Sequence, residues 1–411
     1  MSHVLEIAGL LMAVIMLGPS LVLGVQVLCA CRARKNSRAI STEHIRQALA
    51  GRHFAVIMPA HNEEQGICRA IRSILPQLRP GDRLVVVADN CSDHTAKVAR
   101  DAGAEVIERF DSHRRGKGFA LDFGVRHLDT KSRPEVVIVV DADCIVSSGS
   151  LRVLAAECLH HAQPVQALDL MHAPVGACLA VRIAELAWIV KNQVRPLGAA
   201  TFGAPCQLMG TGMALPWALI RRAPLASGHI AEDLQLGLHL AAMGSPARFV
   251  PSAVVTSEFP VQTQALIIQK TRWEHGHLRL MKSQFLRLLF QALRRRQWPL
   301  LALALDLSVP PLAAWAWAIL LAGLLCTGLG LLSGFWWPAR LLTFAGLLLG
   351  GAVLLSWRCF APDLLQLRDG LALLPYLWRK LPLYLRCLSG SVQTEWVRTP
   401  RQPPGKLPDV H

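Results

Sequence analysis

Apolar residues are concentrated at the two ends of this 411-residue chain, and the middle has the composition of an ordinary globular protein. The first apolar run, Val4–Ala30, is long enough to cross a bilayer as a helix, which takes about 20 residues. Pro19 lies inside it and is a point at which such a helix can bend. Basic residues follow the run but do not precede it, so we predict an uncleaved anchor with its N-terminus outside.

A second apolar region covers residues 299–360 and is interrupted by a proline pair at 310 and 311. We predict two crossings in it, Leu312–Leu332 and Leu341–Phe360, because each supplies about 20 apolar residues. The piece before the proline pair is predicted to lie on the membrane or to re-enter it. Three crossings return the C-terminus to the cytoplasm, so the sequence predicts a multi-pass protein of the inner, cytoplasmic membrane with a cytosolic middle domain.

The middle of the chain alternates short β-branched runs with helix-length amphipathic segments. The predicted strands are Phe54–Met58, Leu84–Ala88, Ala104–Glu108, Glu135–Val140, Val165–Leu170 and Ala247–Val255. The predicted helices include Glu63–Leu75, Cys178–Val194 and Glu232–Met243. This alternation is typical of βαβ units. We therefore predict an α/β, Rossmann-like nucleotide-binding domain with a mainly parallel sheet, joined to α-helical transmembrane and interfacial segments.

The chain is strongly basic, with a net charge of +15 and a pI near 9.8. Basic clusters flank the apolar segments, at Arg32–Arg38, at Arg294–Arg296 and in the tail from Trp378 to Arg401. Juxtamembrane basic clusters face the anionic cytoplasmic leaflet. The charge therefore favours membrane lipids as partners, and nucleic acid is not expected to bind.

The segment Gln262–Gln297 combines apolar and basic residues at helical spacing. Its apolar Phe285, Leu286, Leu289, Phe290 and Leu293 oppose basic Lys282, Arg287, Arg294, Arg295 and Arg296. Such a helix is expected to lie in the headgroup plane of a membrane. The alternative is an ordinary helix packed on the domain.

Two aspartates, Asp141 and Asp143, directly follow the strand Glu135–Val140. In an open α/β sheet, ligands bind just beyond the carboxyl ends of such strands. Carboxylate oxygens there suit Mg²⁺ or Mn²⁺ carrying a diphosphate. The alternative is that both are capping or solvated loop residues, since an Asp-x-Asp pattern alone is weak evidence.

Five short motifs occur in a fixed order: Val56–Glu64, Asp89–Asp93, Asp141–Asp143, Glu232-Asp233 and Gln269–Trp273. Together they resemble the ordered signature of membrane-bound family 2 glycosyltransferases, which include cellulose, chitin and hyaluronan synthases and ceramide glucosyltransferases. The resemblance covers roughly Phe54–Leu280. It implies a GT-A fold, a nucleotide-sugar donor (UDP above all), Mg²⁺ or Mn²⁺ as cofactor, and inversion at the anomeric carbon.

The end of the first strand, Pro59, Ala60 and His61, forms a lip against which a nucleobase can stack. The family usually has an aromatic residue at the His61 position, and imidazole keeps the planar face. Glu63 and Asp89 are acceptors suited to base N–H groups and ribose hydroxyls, and the resemblance implies these roles. The alternative for each of the two is a helix cap.

Lys117 lies between two glycines at a predicted helix start, where a cation, backbone N–H groups and the helix dipole can all meet phosphate. The alternative is a solvated loop. Gly210 and Thr211 lie in a glycine-rich stretch whose backbone can approach a ligand closely.

Asp233 is the candidate general base, because an acceptor hydroxyl must lose its proton as it attacks the anomeric carbon. Its neighbour Glu232 is equally compatible with an acidic helix cap. A Glu-Asp pair alone is more often structural, so the catalytic assignment rests on the resemblance.

Gln269, Arg272 and Trp273 carry the QxxRW pattern. On a helix the first and fourth residues of the pattern share a face. Arg272 can bind diphosphate oxygens bidentately, and Trp273 offers a platform for an acceptor sugar. The alternative is a tryptophan anchored at the membrane interface beside a snorkelling arginine.

These observations divide the chain into an anchor (1–30), a basic linker (31–50), a cytosolic GT-A catalytic domain (51–260), interfacial helices (261–298), membrane segments (299–360) and a basic tail (361–411). The predicted function is transfer of a sugar from a nucleotide sugar to a lipid-linked or polysaccharide acceptor at the cytoplasmic face. Processive polysaccharide synthesis is the first alternative, and a non-catalytic nucleotide-sugar-binding scaffold is the second. A transporter is disfavoured, because three crossings with no intramembrane charge pair offer little pathway, and Asp306, near the Pro310 break, is the one exception.

Overall fold

The computed structural model of the protein describes residues 2–34, 40–131, 133–260 and 263–372, with residues 375, 377, 378, 380, 381 and 384. The chain forms two compact units. One contains Met1–Ser37, Cys178–Pro205 and Glu274–Gln393, and the other contains Arg38–Ala177, Cys206–Trp273 and Thr394–His411. We call them the helical unit and the sheet unit. Most of the predicted basic tail, including Arg379 and residues 385–411, lies outside the described residues, as do residues 35–39 of the predicted linker.

The described residues form the following elements. The strands are β1 (Phe54–Ala60), β2 (Arg83–Asp89), β3 (Glu105–Arg109), β4 (Val136–Val139), β5 (Ile145–Val146), β6 (Val165–His172), β7 (Met213–Pro216) and β8 (Arg248–Glu258). The helices are α1 (Ser2–Ala33), α2 (Thr42–Ala48), α3 (Ile67–Ile74), α4 (Thr95–Asp101), α5 (Lys117–Lys131), α6 (Ser150–His161), α7 (Leu179–Ile189), α8 (Arg195–Ala200), α9 (Trp217–Ile220), α10 (Glu232–Ala242), α11 (Thr263–Arg295), α12 (Trp298–Leu307), α13 (Leu312–Ser333) and α14 (Trp337–Phe360).

The sheet unit contains one eight-stranded mixed sheet with the order β3-β2-β1-β4-β7-β6-β8-β5. The strands β3, β2, β1 and β4 run parallel, as the alternating pattern predicts. β7 is antiparallel to both of its neighbours, β4 and β6, so the second half of the sheet departs from a parallel arrangement. The predicted α/β fold is confirmed, and the mixed half is the detail that the strand pattern did not reveal.

The strands β1, β2 and β4 are buried on both faces, which explains their β-branched composition. Alternate residues of each strand face opposite cores. One core includes Val56, Val86, Ile138, Ile71 and Leu154, and the other includes Ile57, Val87, Val139, Leu121 and Leu236. Helices α3 and α6 therefore cover one face, and α5 and α10 cover the other. Each such side chain, fully buried, contributes about 1.5–3 kcal/mol.

Three helices of the helical unit are long and apolar enough to cross a membrane, namely His3–Ala33, Leu312–Ser333 and Trp337–Phe360. They coincide with the three predicted segments, and the first runs through Pro19 as one helix. The predicted single helix Cys178–Val194 is instead α7, followed by a π turn at Val190–Val194. Although predicted as part of the catalytic domain 51–260, this segment belongs to the helical unit. The predicted linker contains α2.

Asp306 is not an isolated charge, contrary to the sequence-based expectation. Its Oδ1 lies 2.8 Å from Arg195 Nη2, and the two side chains are 12% and 7% exposed. Gln26 Nε2 donates to the same oxygen at 2.8 Å. The contact thus joins α1, α8 and α12.

The same cluster completes the hydrogen bonding at the end of α12. Pro310 has no N–H, so it cannot donate to the carbonyl of Asp306 as the next helical turn would. The N–H of Val309 donates to that carbonyl at 3.2 Å instead, and Arg195 Nη2 donates to it at 2.6 Å. His277 Nε2 donates to the carbonyl of Val309 at 3.1 Å, and burial lowers the pKa of His277 to about 3, which keeps its ring neutral.

Replacing Arg195 by methionine should destabilise the helical unit, because it leaves the Asp306 carboxylate buried without its cation. Losing one partner of a buried pair costs about 3–5 kcal/mol. We expect a clear fall in the melting temperature of the detergent-solubilised protein, and a partial recovery in the double variant Arg195→Met/Asp306→Leu. Arg287→Met, at an exposed arginine of α11, is the control and should melt like wild type. Wild-type melting of Arg195→Met would contradict the assignment.

Candidate active site

The carboxyl ends of β1 and β2 lie side by side, since the two strands pair in parallel with Ala60 opposite Ala88. His61 follows β1 directly and donates from Nδ1 to the backbone carbonyl of Asp89 at 2.7 Å. The predicted base-stacking lip, Pro59 to His61, therefore lies next to Asp89. The two can form one binding surface.

Glu63 lies in the turn after β1 rather than at the start of a helix. The turn is sharp because Asn62 has a φ of 55°, a conformation that asparagine tolerates. The Glu63 N–H donates to Thr95 Oγ1 at 2.7 Å, and α3 begins only at Ile67. The predicted helix start at Glu63 is therefore wrong, although the carbonyl of Glu63 accepts from the N–H groups of Gly66 and Ile67, both at 3.0 Å, where α3 begins. Its half-buried side chain belongs to the turn beyond β1.

Asp89 is held by an ion pair. Arg109 Nη1 lies 2.6 Å from Asp89 Oδ1, and the two side chains are 10% and 9% exposed. Asn90 Nδ2 donates to the same oxygen at 3.0 Å. The carboxylate is thus fixed at the end of β2 and does not cap a helix.

Lys117 joins the end of β4 to the glycine-rich stretch before β7. Its Nζ lies 2.5 Å from Asp141 Oδ1 and donates to the carbonyl of Gly210 at 2.8 Å. The N–H of Asp141 lies 3.2 Å from Thr211 Oγ1, to which it donates. The alternative reading of Lys117 as a solvated loop residue is wrong, since its side chain is only 18% exposed.

Asp233 lies beside the same lysine. A Cβ built on Gly210 would lie 3.0 Å from Asp233 Oδ2 and 3.3 Å from Lys117 Nζ. Gly210 has a φ of +92°, and its missing side chain is what allows the two groups to approach. Asp233 Oδ1 accepts from the N–H of Leu234 at 2.8 Å, which orients the carboxylate at the start of α10.

The site has an excess of negative charge. Burial would lower the pKa of Lys117, but nearby carboxylates, Asp141 first, raise it above its ordinary value. Partial burial raises the pKa of Asp141, Lys117 opposes the rise, and Asp143 adds to it. Burial, then the charge of Asp233, raises the pKa of Glu232 to about 7. Four carboxylates therefore share the field of one ammonium group.

Asp141 and Asp143 are the residues that could hold a divalent cation. In the described part of the chain, no group of three or more His, Cys, Asp or Glu side chains is arranged to hold a metal ion. Mg²⁺ in nucleotide sites is commonly held by one or two carboxylates, with phosphates and water completing its shell. Two neighbouring carboxylates within a field of excess negative charge fit that kind of site.

The QxxRW residues lie on α11. Gln269 is buried, and its Oε1 accepts no hydrogen bond from any of the described residues. Arg272 and Trp273 are half-buried. Their proposed contacts with diphosphate and with an acceptor sugar stay predictions.

Comparison with known proteins identifies the family. Residues 51–276, more than half of the chain, match the family model described as glycosyltransferase like family 2. The chain belongs to this family. Every sequence-predicted site residue lies within the matched residues of this family 2 domain.

Individual relatives of this family 2 chain are distant. The probable glycosyltransferase YdaM of Bacillus subtilis is 25% identical over 252 residues, which are 59% of this chain and 59% of the relative. The 4,4'-diaponeurosporenoate glycosyltransferase of Staphylococcus aureus is 38% identical over 93 residues, 22% of this chain and 24% of the relative. The chain thus spans well under two thirds of either relative.

Among solved structures, the family 2 chain is similar to the mannosyltransferase PcManGT from Pyrobaculum calidifontis, in complex with GDP-Man and Mn²⁺. The TM-score is 0.53 at 19% identity, and the match covers 92% of this chain and 99% of that one. At that identity the likeness shows the fold.

Two residues of the family 2 domain were missed by sequence reasoning. Arg109 pairs with Asp89, and nothing in a lone arginine at a strand end signals this. Gln166 is fully buried, donates to the carbonyl of Thr211 at 2.8 Å and accepts from the N–H of Met209 at 2.9 Å. It therefore fixes the glycine-rich stretch, and a glutamine inside the apolar strand β6 is a signal that could have been noticed.

Gly210→Ala should damage the site of this glycosyltransferase more than its fold. The new methyl group would press on Asp233 and Lys117, and a displacement of this kind can cost about 100-fold in rate. Gly149→Ala is the matched control, because Gly149 also has a positive φ, of +80°, but has open space around it. Turnover and melting temperature should be measured for both. Equal turnover in the two variants would contradict the packing argument.

Proposed function

We propose that the protein is an inverting glycosyltransferase that transfers a sugar from a nucleotide-sugar donor to a lipid-linked acceptor. The observation that carries the proposal is the convergence of Asp141 and Asp233 on Lys117. These residues come from β4, α10 and α5, and they meet where β1, β2 and β4 end. Ligands of open α/β sheets bind at such strand ends.

The donor nucleotide would bind along the ends of β1 and β2. The imidazole of His61 offers a planar face for a base, and Asp89 offers an acceptor for a base N–H. Glu63 in the adjoining turn is the proposed partner of a ribose hydroxyl. We infer UDP as the nucleotide from the resemblance to membrane-bound family 2 enzymes.

The diphosphate would lie against Lys117, which supplies positive charge at the start of α5. Asp141 and Asp143 would hold Mg²⁺ or Mn²⁺, and the ion would neutralise charge on the leaving diphosphate. PcManGT, which shares the fold, was solved with GDP-Man and Mn²⁺, and this supports a divalent metal here.

Asp233 is the proposed catalytic base. Its Oδ2 would take the proton of an acceptor hydroxyl while that oxygen forms a bond to the anomeric carbon. The bond from the anomeric carbon to the phosphate oxygen breaks in the same displacement, and the nucleoside diphosphate leaves. One displacement inverts the configuration. Glu232, with a pKa of about 7, is the competing candidate.

The contact with membrane lipids, the side of the membrane that the active site faces and the number of sugars added are also proposals. On α11, the exposed Leu286, Phe290 and Leu293 lie at helical spacing beside exposed Arg287 and Arg294. This composition fits a helix lying at a headgroup layer, with membrane lipids as partners. We propose that the active site faces the cytoplasm. The three candidate spans among the described residues favour one or a few additions per acceptor, and processive polysaccharide synthesis is the alternative.

Asp233→Asn should abolish transfer and leave nucleotide binding nearly unchanged, because the amide keeps the shape but cannot take a proton. General-base catalysis contributes about 100-fold to 10,000-fold. The purified protein should be screened with nucleotide sugars and Mn²⁺ for lipid-soluble product, and UDP binding should be measured by calorimetry. Glu232→Gln is the matched control and should retain most transfer. Activity in Asp233→Asn together with loss in Glu232→Gln would reverse the two assignments.

The metal assignment is tested separately. Asp143→Asn should weaken binding of a nucleoside diphosphate in Mn²⁺ by about tenfold or more, since it removes one of only two carboxylates available to the ion. Chelation with EDTA should have a similar effect on wild type and little further effect on the variant. Metal-independent binding by wild type would exclude this site.

The scaffold alternative predicts nucleotide-sugar binding with neither transfer nor donor hydrolysis under any condition. Product length in a membrane assay distinguishes the other two hypotheses, single addition and processive synthesis. A single-addition enzyme gives one discrete lipid product, and a processive synthase gives a ladder of chains.

A further inference from the structure

One buried side-chain amide, that of Gln166 on β6, is bonded to the backbone on both sides of Gly210. Gln166 is fully buried, and its Oε1 accepts from the N–H of Met209 at 2.9 Å. Its Nε2 donates to the carbonyl of Thr211 at 2.8 Å. The amide therefore spans Gly210 and holds the residue before it and the residue after it.

The segment held in this way, residues 209–211, carries three contacts of the candidate site. The carbonyl of Gly210 accepts from Lys117 Nζ at 2.8 Å. Thr211 Oγ1 accepts from the N–H of Asp141 at 3.2 Å. A Cβ on Gly210 would lie 3.0 Å from Asp233 Oδ2. A shift of this segment would therefore disturb the proposed phosphate-binding lysine, the end of β4 and the proposed base together.

The bonds of Gln166 require a group that both donates and accepts. Besides its bond to Thr211, Nε2 donates to the carbonyl of Ala167 at 3.0 Å. A primary amide supplies an acceptor oxygen and two N–H donors, which is what these three bonds use. An apolar side chain of the same length would leave the Met209 N–H and the Thr211 carbonyl without this partner. The chemistry of the side chain, and not only its volume, therefore fixes segment 209–211.

We propose that Gln166 is a positioning residue for sugar transfer, and that its amide sets the separation between Lys117 and Asp233 by fixing Gly210. This inference rests on the proposed function. Gln166 acts through the backbone of segment 209–211 and is not itself a catalytic residue. Catalysis is sensitive to such placement, because a displacement of about 1 Å can cost about 100-fold in rate.

The competing explanation is that Gln166 only fastens β6 to the backbone beside it. The sheet unit contains a matched control, because Gln77 is also a buried glutamine whose amide bonds separate backbone segments. Its Oε1 accepts from the N–H of Leu151 at 3.3 Å. Its Nε2 donates to the carbonyls of Ser73 and Val146 at 2.7 and 3.4 Å. These bonded residues lie outside the candidate site, so a fastening role predicts similar effects of equivalent substitutions at 77 and 166.

The test compares wild type, Gln166→Met and Gln77→Met as full-length protein in detergent. Methionine is also unbranched and flexible but has no N–H group, so each variant loses the donated bonds while the space stays filled. Turnover should be measured with Mn²⁺ and the nucleotide sugar that wild type uses. UDP affinity should be measured by calorimetry, and melting temperatures report folding.

Both variants should melt at a lower temperature than wild type, because each leaves buried backbone groups without a partner. Gln166→Met should also lower turnover by about 10-fold to 100-fold, and UDP affinity should fall by less. Gln77→Met should keep the turnover of wild type. Wild-type turnover in Gln166→Met overturns the proposal, as does an equal loss of turnover in Gln77→Met. Should Gln166→Met prove unstable, Gln166→Asn under the same comparison replaces it.

The route through Gly210 is tested by combining each variant with Gly210→Ala. Two substitutions that act through one segment are not additive in free energy, whereas independent ones are. The loss of turnover in Gln166→Met/Gly210→Ala should therefore be smaller than the product of the two single losses. In Gln77→Met/Gly210→Ala it should equal the product. Full multiplication in the Gln166 pair, or no loss from Gly210→Ala alone, overturns the proposal.

The outcomes also separate this inference from the proposed function. If wild type transfers sugar and Gln166→Met transfers it equally well, only the positioning role fails. If wild type binds UDP but neither transfers sugar nor hydrolyses the donor, the proposed function fails, and the positioning role fails with it.

Discussion

The candidate site depends on one half-buried ammonium group surrounded by acceptors. Without Lys117, the mutually repelling carboxylates of Asp141 and Asp233 would lose the cation that both of them approach. Removing one partner of a buried ion pair is costly because the remaining charge keeps its desolvation penalty. The contacts of Lys117 with Asp141 and with the Gly210 carbonyl therefore hold together chain segments that are far apart in sequence.

The sheet brings those segments within reach. β4 is the last of the four parallel strands, and its next neighbour, β7, runs in the opposite direction. Asp141 follows β4, whereas Gly210 and Thr211 precede β7, so the reversal places both at the same edge. The close approach of neighbouring backbone segments to this edge then requires glycine. A Cβ on Gly118 would lie 2.4 Å from the carbonyl oxygen of Leu225, in the loop that leads towards α10.

Sequence reasoning predicted those features of the site that depend only on neighbouring residues in the chain. A β-branched run ending in Asp141 defines a buried strand and its end within ten residues. The fold class follows from repetition of that pattern. The start of α3 was wrong because the turn at Asn62 depends on contacts with the loop after β2. The pair of Arg195 and Asp306 was missed because its members are 111 residues apart and meet only through helix packing.

The contact of Arg109 with Asp89 could not be predicted from the sequence for a similar reason. Its pairing with Asp89 follows from the parallel register of β2 and β3, and a shift of one residue would turn its side chain to the other face. Register depends on the packing of the whole sheet, so no local pattern could have predicted this contact. Strand ends can thus be predicted from hydrophobic patterns, whereas the chemistry at those ends depends on tertiary structure.

The charge balance of the site has a consequence for the order of binding. Asp141, Glu232 and Asp233 act on one lysine, and burial first, then repulsion from neighbouring carboxylates, raises the pKa values of Asp141 and Glu232. A diphosphate alone would add negative charge to this field, and a divalent cation alone would leave Lys117 without an anionic ligand. Under the proposed function, a cation and a diphosphate together satisfy both the carboxylates and the lysine. The local electrostatics therefore favour their joint binding over the binding of either one alone.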